Sequence, residues 1–92
     1  MKKRVHVYYS GRVQGVGFRF TAEETARSMG VVGWIKNLRD GRVEMIAEGE
    51  EKLLTEFLDA IRTGAMRNFI KDVYISWSAS MENCSDFEIR AL

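Results

Sequence analysis

The sequence predicts an α+β sandwich of order β-α-β-β-α-β, one antiparallel sheet with two helices on one face. Three observations carry that expectation. Val5 to Ser10 and Val73 to Ser80 alternate apolar and polar residues, as half-buried strands do. Phe18 to Met29 and Leu53 to Ile61 carry apolar stripes at helical spacing. Asp40-Gly41 is a hairpin signal that folds the second strand onto the third.

Each element has its own local reason. Val5, Val7 and Tyr9 alternate with His6, Tyr8 and Ser10, which gives a first strand with one buried face. Gly11 to Gly17 form a glycine-rich loop, and Phe18, Ala22, Ala26 and Met29 mark the first helix, stopped by Gly30. Val31 to Leu38 make the second strand, and Arg42 to Glu48 return as the third. Glu50 and Glu51 suit the positive start of a helix whose stripe is Leu53, Leu54, Phe57, Leu58 and Ile61, closed by Gly64. Val73, Ile75, Trp77 and Ala79 alternate with Tyr74, Ser76, Ser78 and Ser80 in a fourth strand, and Phe87 to Arg90 add a short last one.

This order is that of a ferredoxin-like sandwich. Its usual sheet places strand 1 beside strand 3 and strand 2 outside strand 3. The right-handed crossover makes strands 1 and 2 parallel, so both end on the same edge of the sheet. The loop after strand 1 therefore meets the end of strand 2 across two strand spacings, about 9–10 Å.

At 92 residues the chain is expected to form one domain, residues 1–92, with one layered core. Hydrophobic residues are 46% and charged residues 29%, in the range of soluble globular proteins. The 14 Lys and Arg against 13 Asp and Glu leave a net charge of +1, which argues against a protein that coats nucleic acid but allows one focused positive site. Cys84 is the lone cysteine, so an internal disulfide, a cysteine-based zinc site and an iron–sulfur cluster are excluded. Lys2, Lys3 and Arg4 lack the following apolar run of a signal peptide, and no stretch approaches the roughly 20 apolar residues of a membrane span. A cytoplasmic location, with no membrane and no nucleic-acid partner, is the expectation.

The residues that carry chemistry lie in Gly11-Arg12-Val13-Gln14-Gly15-Val16-Gly17-Phe18-Arg19, a loop between a strand and a helix. Glycines let successive backbone N–H groups turn inward, and the helix start adds free donors and positive dipole. Such a nest takes a tetrahedral anion, and Arg19 supplies a planar cationic fork for its oxygens. On glycine spacing alone a tight turn with a solvated Arg19 fits as well, and neither common nucleotide-binding glycine signature is present. Asn37, at the end of strand 2, offers one acceptor and two donors suited to holding a water. Without further context, a capping residue before the Asp40-Gly41 turn is the commoner role for an asparagine placed there.

The segment Gly11 to Arg19 resembles the acylphosphatase signature G-R-V-Q-G-V-x-F-R without interruption. Gly33-Trp34-Ile35-Lys36-Asn37 resembles the family's second block, G-W-V-x-N, and Asp40 to Glu44 its following D-G-R-V-E turn. Phe87-Glu88-Ile89-Arg90 is similar to its ending. The resemblance spans essentially the whole chain. It implies an enzyme that hydrolyses the carboxyl-phosphate bond of acyl phosphates to carboxylate and inorganic phosphate, with no metal or cofactor. It implies phosphate held by the loop Gln14, Gly15, Val16, Gly17, Phe18 and by Arg19, with Asn37 orienting the attacking water. Acetyl, carbamoyl and glyceroyl phosphates are the substrate types it suggests, and the expected form is a stand-alone monomer. Two departures stand out. Leu38 replaces the Thr of some members, and Arg39 stands where bacterial relatives often have Pro; the usual prolines before the fourth strand are absent as well.

The remaining residues carry less. His6, outward on a strand, is expected to be exposed, and Cys84 has no His partner to activate it. The adjacent pairs Glu23-Glu24 and Glu50-Glu51 point apart on their helices and read as solvated charges. Met29 and Met45 are expected in the core and Trp34 and Trp77 in packing, with Trp34 placed to border the site. An RNA-recognition module shares the strand order but stacks bases on aromatics of its first and third strands, and strand 3 here, Arg42 to Glu48, has no aromatic and two acids. A non-catalytic anion sensor could use the same cradle; Arg19 together with Asn37 favours catalysis. A domain serving a larger hydrogenase-maturation protein is the third alternative.

Overall fold

A computed structural model describes residues 1–91. The chain runs β1 (Lys2–Gly11), α1 (Phe18–Met29), β2 (Val32–Asn37), β3 (Val43–Glu50), α2 (Glu51–Thr63), a 3₁₀ turn (Arg67–Phe69), β4 (Ile70–Ala79) and β5 (Phe87–Arg90). The sheet order is β4-β1-β3-β2-β5. The first four strands pair antiparallel, as expected for a ferredoxin-like sandwich. β5 pairs parallel to β2, with Phe87 opposite Gly33, which makes the five-stranded sheet mixed.

The core lies between the sheet and the helices, because only one face of each strand is apolar. Val5, Val7 and Tyr9 from β1, Val43, Met45 and Ala47 from β3, and Ile35 from β2 are buried against Phe18, Ala22 and Ala26 of α1 and Leu54, Phe57, Leu58 and Ile61 of α2. Met29 packs against this cluster from its margin. Burying a side chain of this size stabilises the fold by about 1.5–3 kcal/mol each, with the extended-chain reference making that an upper figure.

The hairpin is closed by residues that the sequence expectation placed in its strands. Leu38 N–H donates to Arg42 O at 2.8 Å and Gly41 N–H to Leu38 O at 3.2 Å. Asp40 accepts from the Arg42 backbone N–H at 3.1 Å and its guanidinium at 2.8 Å. These bonds, the backbone one first, hold the exposed Asp40 carboxyl below its ordinary value. Leu38 and Arg42 are thus turn residues, and β3 starts one residue later than expected.

β4 departs further. Its apolar face was expected to be buried, but Ile75 and Trp77 are 43% and 44% exposed. β4 is the outermost strand on its side, and α2 packs chiefly over β1 and β3, leaving an open groove between itself and β4. Trp77 is therefore not a core packing residue. Trp34 lies on the sheet face away from the helices, with the cations of Arg90 at 4.8 Å and Lys36 at 5.5 Å from its ring.

That open face carries a polar network. His6 Nε2 lies 2.6 Å from Glu44 Oε2, which also accepts from the Tyr8 hydroxyl at 3.2 Å. His6 is half-exposed and engaged rather than free. Glu48 of β3 is buried; it accepts from Arg4 at 3.2 Å and from the Met81 backbone N–H at 2.8 Å, beneath the segment that joins β4 to β5.

Candidate active site

The sheet register brings the two signature blocks together. Tyr9 of β1 and Asn37 of β2 both sit opposite Val43 of β3, so they share one row across three strands. Beyond that row, β1 ends in a register shift at Ser10/Gly11 and the chain turns into the loop. The loop is tied at several points. Arg12 N–H donates to Phe69 O at 2.8 Å, Val13 and Phe18 are buried, and Val16 packs on the core from its edge.

Between these anchors the backbone is shaped for an anion. Gly15 and Gly17 have φ of 76° and 83°, the left-handed conformation that glycine adopts without strain. Alternating such residues with right-handed ones points successive N–H groups into one concavity. Among the described residues, no N–H from Val13 to Phe20 donates to a carbonyl or a side chain. Helix α1 begins at the same place with Gly17 as its cap, no capping side chain and no acidic residue in its first turn. Its positive dipole end is therefore uncompensated, and Arg19, in that first turn, has no ion-pair partner among the described residues.

A cavity of about 150 Å³ lies over this concavity, lined by Val13, Gly15, Gly17, Phe18, Arg19, Phe20, Asn37 and Ile89. That is room for a small tetrahedral group and a water, given about 30 Å³ per water. Larger grooves of about 400 Å³ lie between α2 and β4 and at the opposite edge of the sheet. Free donors, a free cation and an unpaired amide oxygen converge in the smaller one. There the Asn37 side-chain oxygen is buried and accepts no hydrogen bond. An acceptor left open inside a ring of donors is suited to a molecule that brings its own proton, such as water.

Of the residues expected in the site, Gly15, Gly17, Phe18, Arg19 and Asn37 line the cavity. Gln14 and Val16 belong to the loop but do not line it. The Gln14 amide nitrogen donates instead to Leu38 O at 2.7 Å and Arg42 O at 2.9 Å, which leaves only its backbone N–H for a ligand. Trp34 does not border the site. Sequence reasoning missed Val13, Phe20 and Ile89. Phe20 carried a signal, an aromatic residue off the buried helical stripe and next to Arg19; it is 59% exposed. Ile89 reaches the site only through the parallel β5–β2 pairing, which has no local signature.

The other titratable groups lie apart. His6 and Glu44 occupy the opposite face of the sheet. Burial pushes the Cys84 thiol up, away from nucleophilic character. Among the described residues no cluster of His, Cys, Asp or Glu could hold a metal ion, and no helix is long and apolar enough to cross a membrane.

Comparison with known proteins bears on the family and the fold. The acylphosphatase family model matches residues 5–89. The acylphosphatase of Archaeoglobus fulgidus is 42% identical over 85 residues, covering 92% of this chain and 94% of the relative. That of Bacillus subtilis is 40% identical over 83 residues, covering 90% and 91%. The crystal structure of acylphosphatase from Bacillus subtilis superposes with a TM-score of 0.89 at 38% identity, covering 96% of this chain and 98% of that one.

Proposed function

The chain belongs to the acylphosphatase family and is an enzyme that hydrolyses acyl phosphates, and from that premise we propose that Arg19 and the loop amides hold the phosphoryl group while Asn37 orients the water that attacks it. The observation that carries this reading is the convergence of an unpaired Arg19, free loop N–H donors and the unpartnered Asn37 oxygen on one small cavity.

Acyl phosphates already have a good leaving group, so positioning and charge stabilisation supply most of what the reaction needs. The N–H groups between Gln14 and Phe18 and the Arg19 guanidinium bind the non-bridging oxygens, where negative charge gathers in the transition state. The Asn37 oxygen accepts one hydrogen of a water and aims its lone pair at phosphorus. The new P–O bond forms as the bond to the acyl oxygen breaks, and the electron pair leaves on the carboxylate. With His6 and Glu44 on the far face of the sheet, the phosphoryl oxygens themselves take the water's proton. The substrates are small carboxyl phosphates, and the working assignment is a monomer of the cytoplasm.

Benzoyl phosphate hydrolysis at neutral pH with excess EDTA tests the reading. Wild-type turnover should persist in EDTA. Arg19→Ala should lose at least about 10²–10³ in kcat/KM, the usual cost of removing one oxygen-binding group, with weaker inhibition by inorganic phosphate. Asn37→Ala should lose turnover while phosphate still binds. A wild type that binds phosphate yet turns over no acyl phosphate would make the cradle a sensor and defeat the mechanism.

A further inference from the structure

We propose that Gln14 is a positioning residue for acyl phosphate hydrolysis: its side-chain amide fixes the separation between the phosphate loop and Asn37. The inference rests on the functional reading above and goes past it, because the family signature places Gln14 among the groups that hold phosphate. In the structure its side chain is turned the other way. Both hydrogens of the amide nitrogen are used, one toward Leu38 O at 2.7 Å and one toward Arg42 O at 2.9 Å.

Those two carbonyls are the mouth of the β2–β3 hairpin. Arg42 O already accepts the Leu38 N–H at 2.8 Å, and Leu38 O already accepts the Gly41 N–H at 3.2 Å. Gln14 therefore caps the second lone pair of each carbonyl that closes the turn. Leu38 directly follows Asn37, so the tie is made one residue from the amide that holds the water. Among the described residues, no other hydrogen bond joins the loop Arg12 to Gly17 to the hairpin segment Asn37 to Arg42. Asn37 adds no tie of its own, since its side chain makes no hydrogen bond within the protein.

The consequence is geometric. One half of the site grips the phosphoryl group and the other holds the water, and they are carried by separate segments. Only Gln14 fastens those segments by directed bonds; the packing around Val13 and Phe18 sets the loop's depth in the core. A near-attack arrangement requires the water oxygen about 3–3.5 Å from phosphorus, and a displacement of about 1 Å costs on the order of 10²-fold in rate. Gln14 thus governs how fast bound substrate reacts and not how tightly phosphate binds.

Gln14→Met keeps the length and bulk of the side chain and removes both donors. Its kcat for benzoyl phosphate should fall about 10- to 100-fold, while the inhibition constant of inorganic phosphate stays within about twofold, since the loop amides and Arg19 are untouched. Gln14→Glu supplies a second reading. Its carboxylate cannot donate to either carbonyl, whereas its protonated form regains one donor, so its activity relative to wild type should rise as pH is lowered from 8 to 5. Phosphate inhibition lost in step with turnover would show that Gln14 is a ligand and overturn the proposal. Unchanged kcat in Gln14→Met, or a pH-independent ratio in Gln14→Glu, would overturn it equally. If Gln14→Met does not fold, the Gln14→Glu pH series decides alone. Failure of the underlying reading looks different, because wild type would then be inactive or Asn37→Ala fully active in the same assay.

Discussion

The site is built from backbone geometry as much as from side chains, and Gly17 shows this at the scale of one residue. A Cβ added there would meet nothing within 4 Å, so a substitution is not blocked by space. Its φ of 83° is the obstacle, because the left-handed conformation costs a residue with a Cβ about 1–2 kcal/mol. Gly17→Ala should therefore lose about that much stability in chemical denaturation, and its relaxed backbone should turn donors out of the cradle and weaken phosphate binding. Gly17→Asn, which adopts left-handed φ more readily, should lose less of both. Equal losses for Ala and Asn would show that conformation is not what selects glycine. That Arg19 and Asn37 meet at one cavity was legible in the sequence from the crossover rule and the two signature blocks together, since residue type and spacing alone left a plain turn open for each. The use of the Gln14 side chain was not, because its partners are backbone carbonyls of the hairpin, and carbonyls have no sequence identity.

At the scale of elements, short β5 has an effect beyond its length. Phe87 is fully buried, with its ring edge-on to Phe57 at 6.2 Å, and Arg27 of α1 donates to its carbonyl at 2.8 Å. This strand thereby ties the outer edge of β2, and with it Asn37, to the helices. Phe87→Ala should destabilise the fold by about 3–5 kcal/mol in urea denaturation. A cost under about 1 kcal/mol would mean that β5 is not part of the cooperative unit. The element order and both helices followed from periodicity together with the glycine stops and the Asp40-Gly41 turn, and α1 matches its expected bounds. The open apolar face of β4 did not follow, because alternation reports that a strand has an apolar side and not whether a helix reaches it. The burial of Glu48 was equally hidden, since the segment that covers it has no period and its bond to Glu48 comes from the Met81 backbone.

For the whole molecule, stability should form a plateau across neutral pH with losses on both sides. Asp40 sits below its ordinary 3.8, chiefly through the Arg42 backbone N–H, and Glu50 below its ordinary 4.5, chiefly through its hydrogen bond to the chain's amino group. For groups shifted down, the added stability is fully present above those ordinary values and is lost as pH falls through the lower folded ones. Burial raises the Tyr9 hydroxyl above its ordinary 10.0, so its contribution is complete below pH 10 and is lost as pH rises beyond it. Urea midpoints from pH 2.5 to 11 should thus be flat from about 5 to 9 and fall outside that window; a maximum confined to one end would contradict these assignments. The direction of β5 has a practical reach as well. Because it runs parallel to β2, its end lies on the same rim as the cavity, and Ile89 lines that cavity. The first residue lies at the far rim, its amino group 2.6 Å from Glu50. A purification tag, a fused domain or a solid support joined upstream of β1 would leave the mouth open to substrate, whereas the same attachment joined downstream of β5 would hang across it.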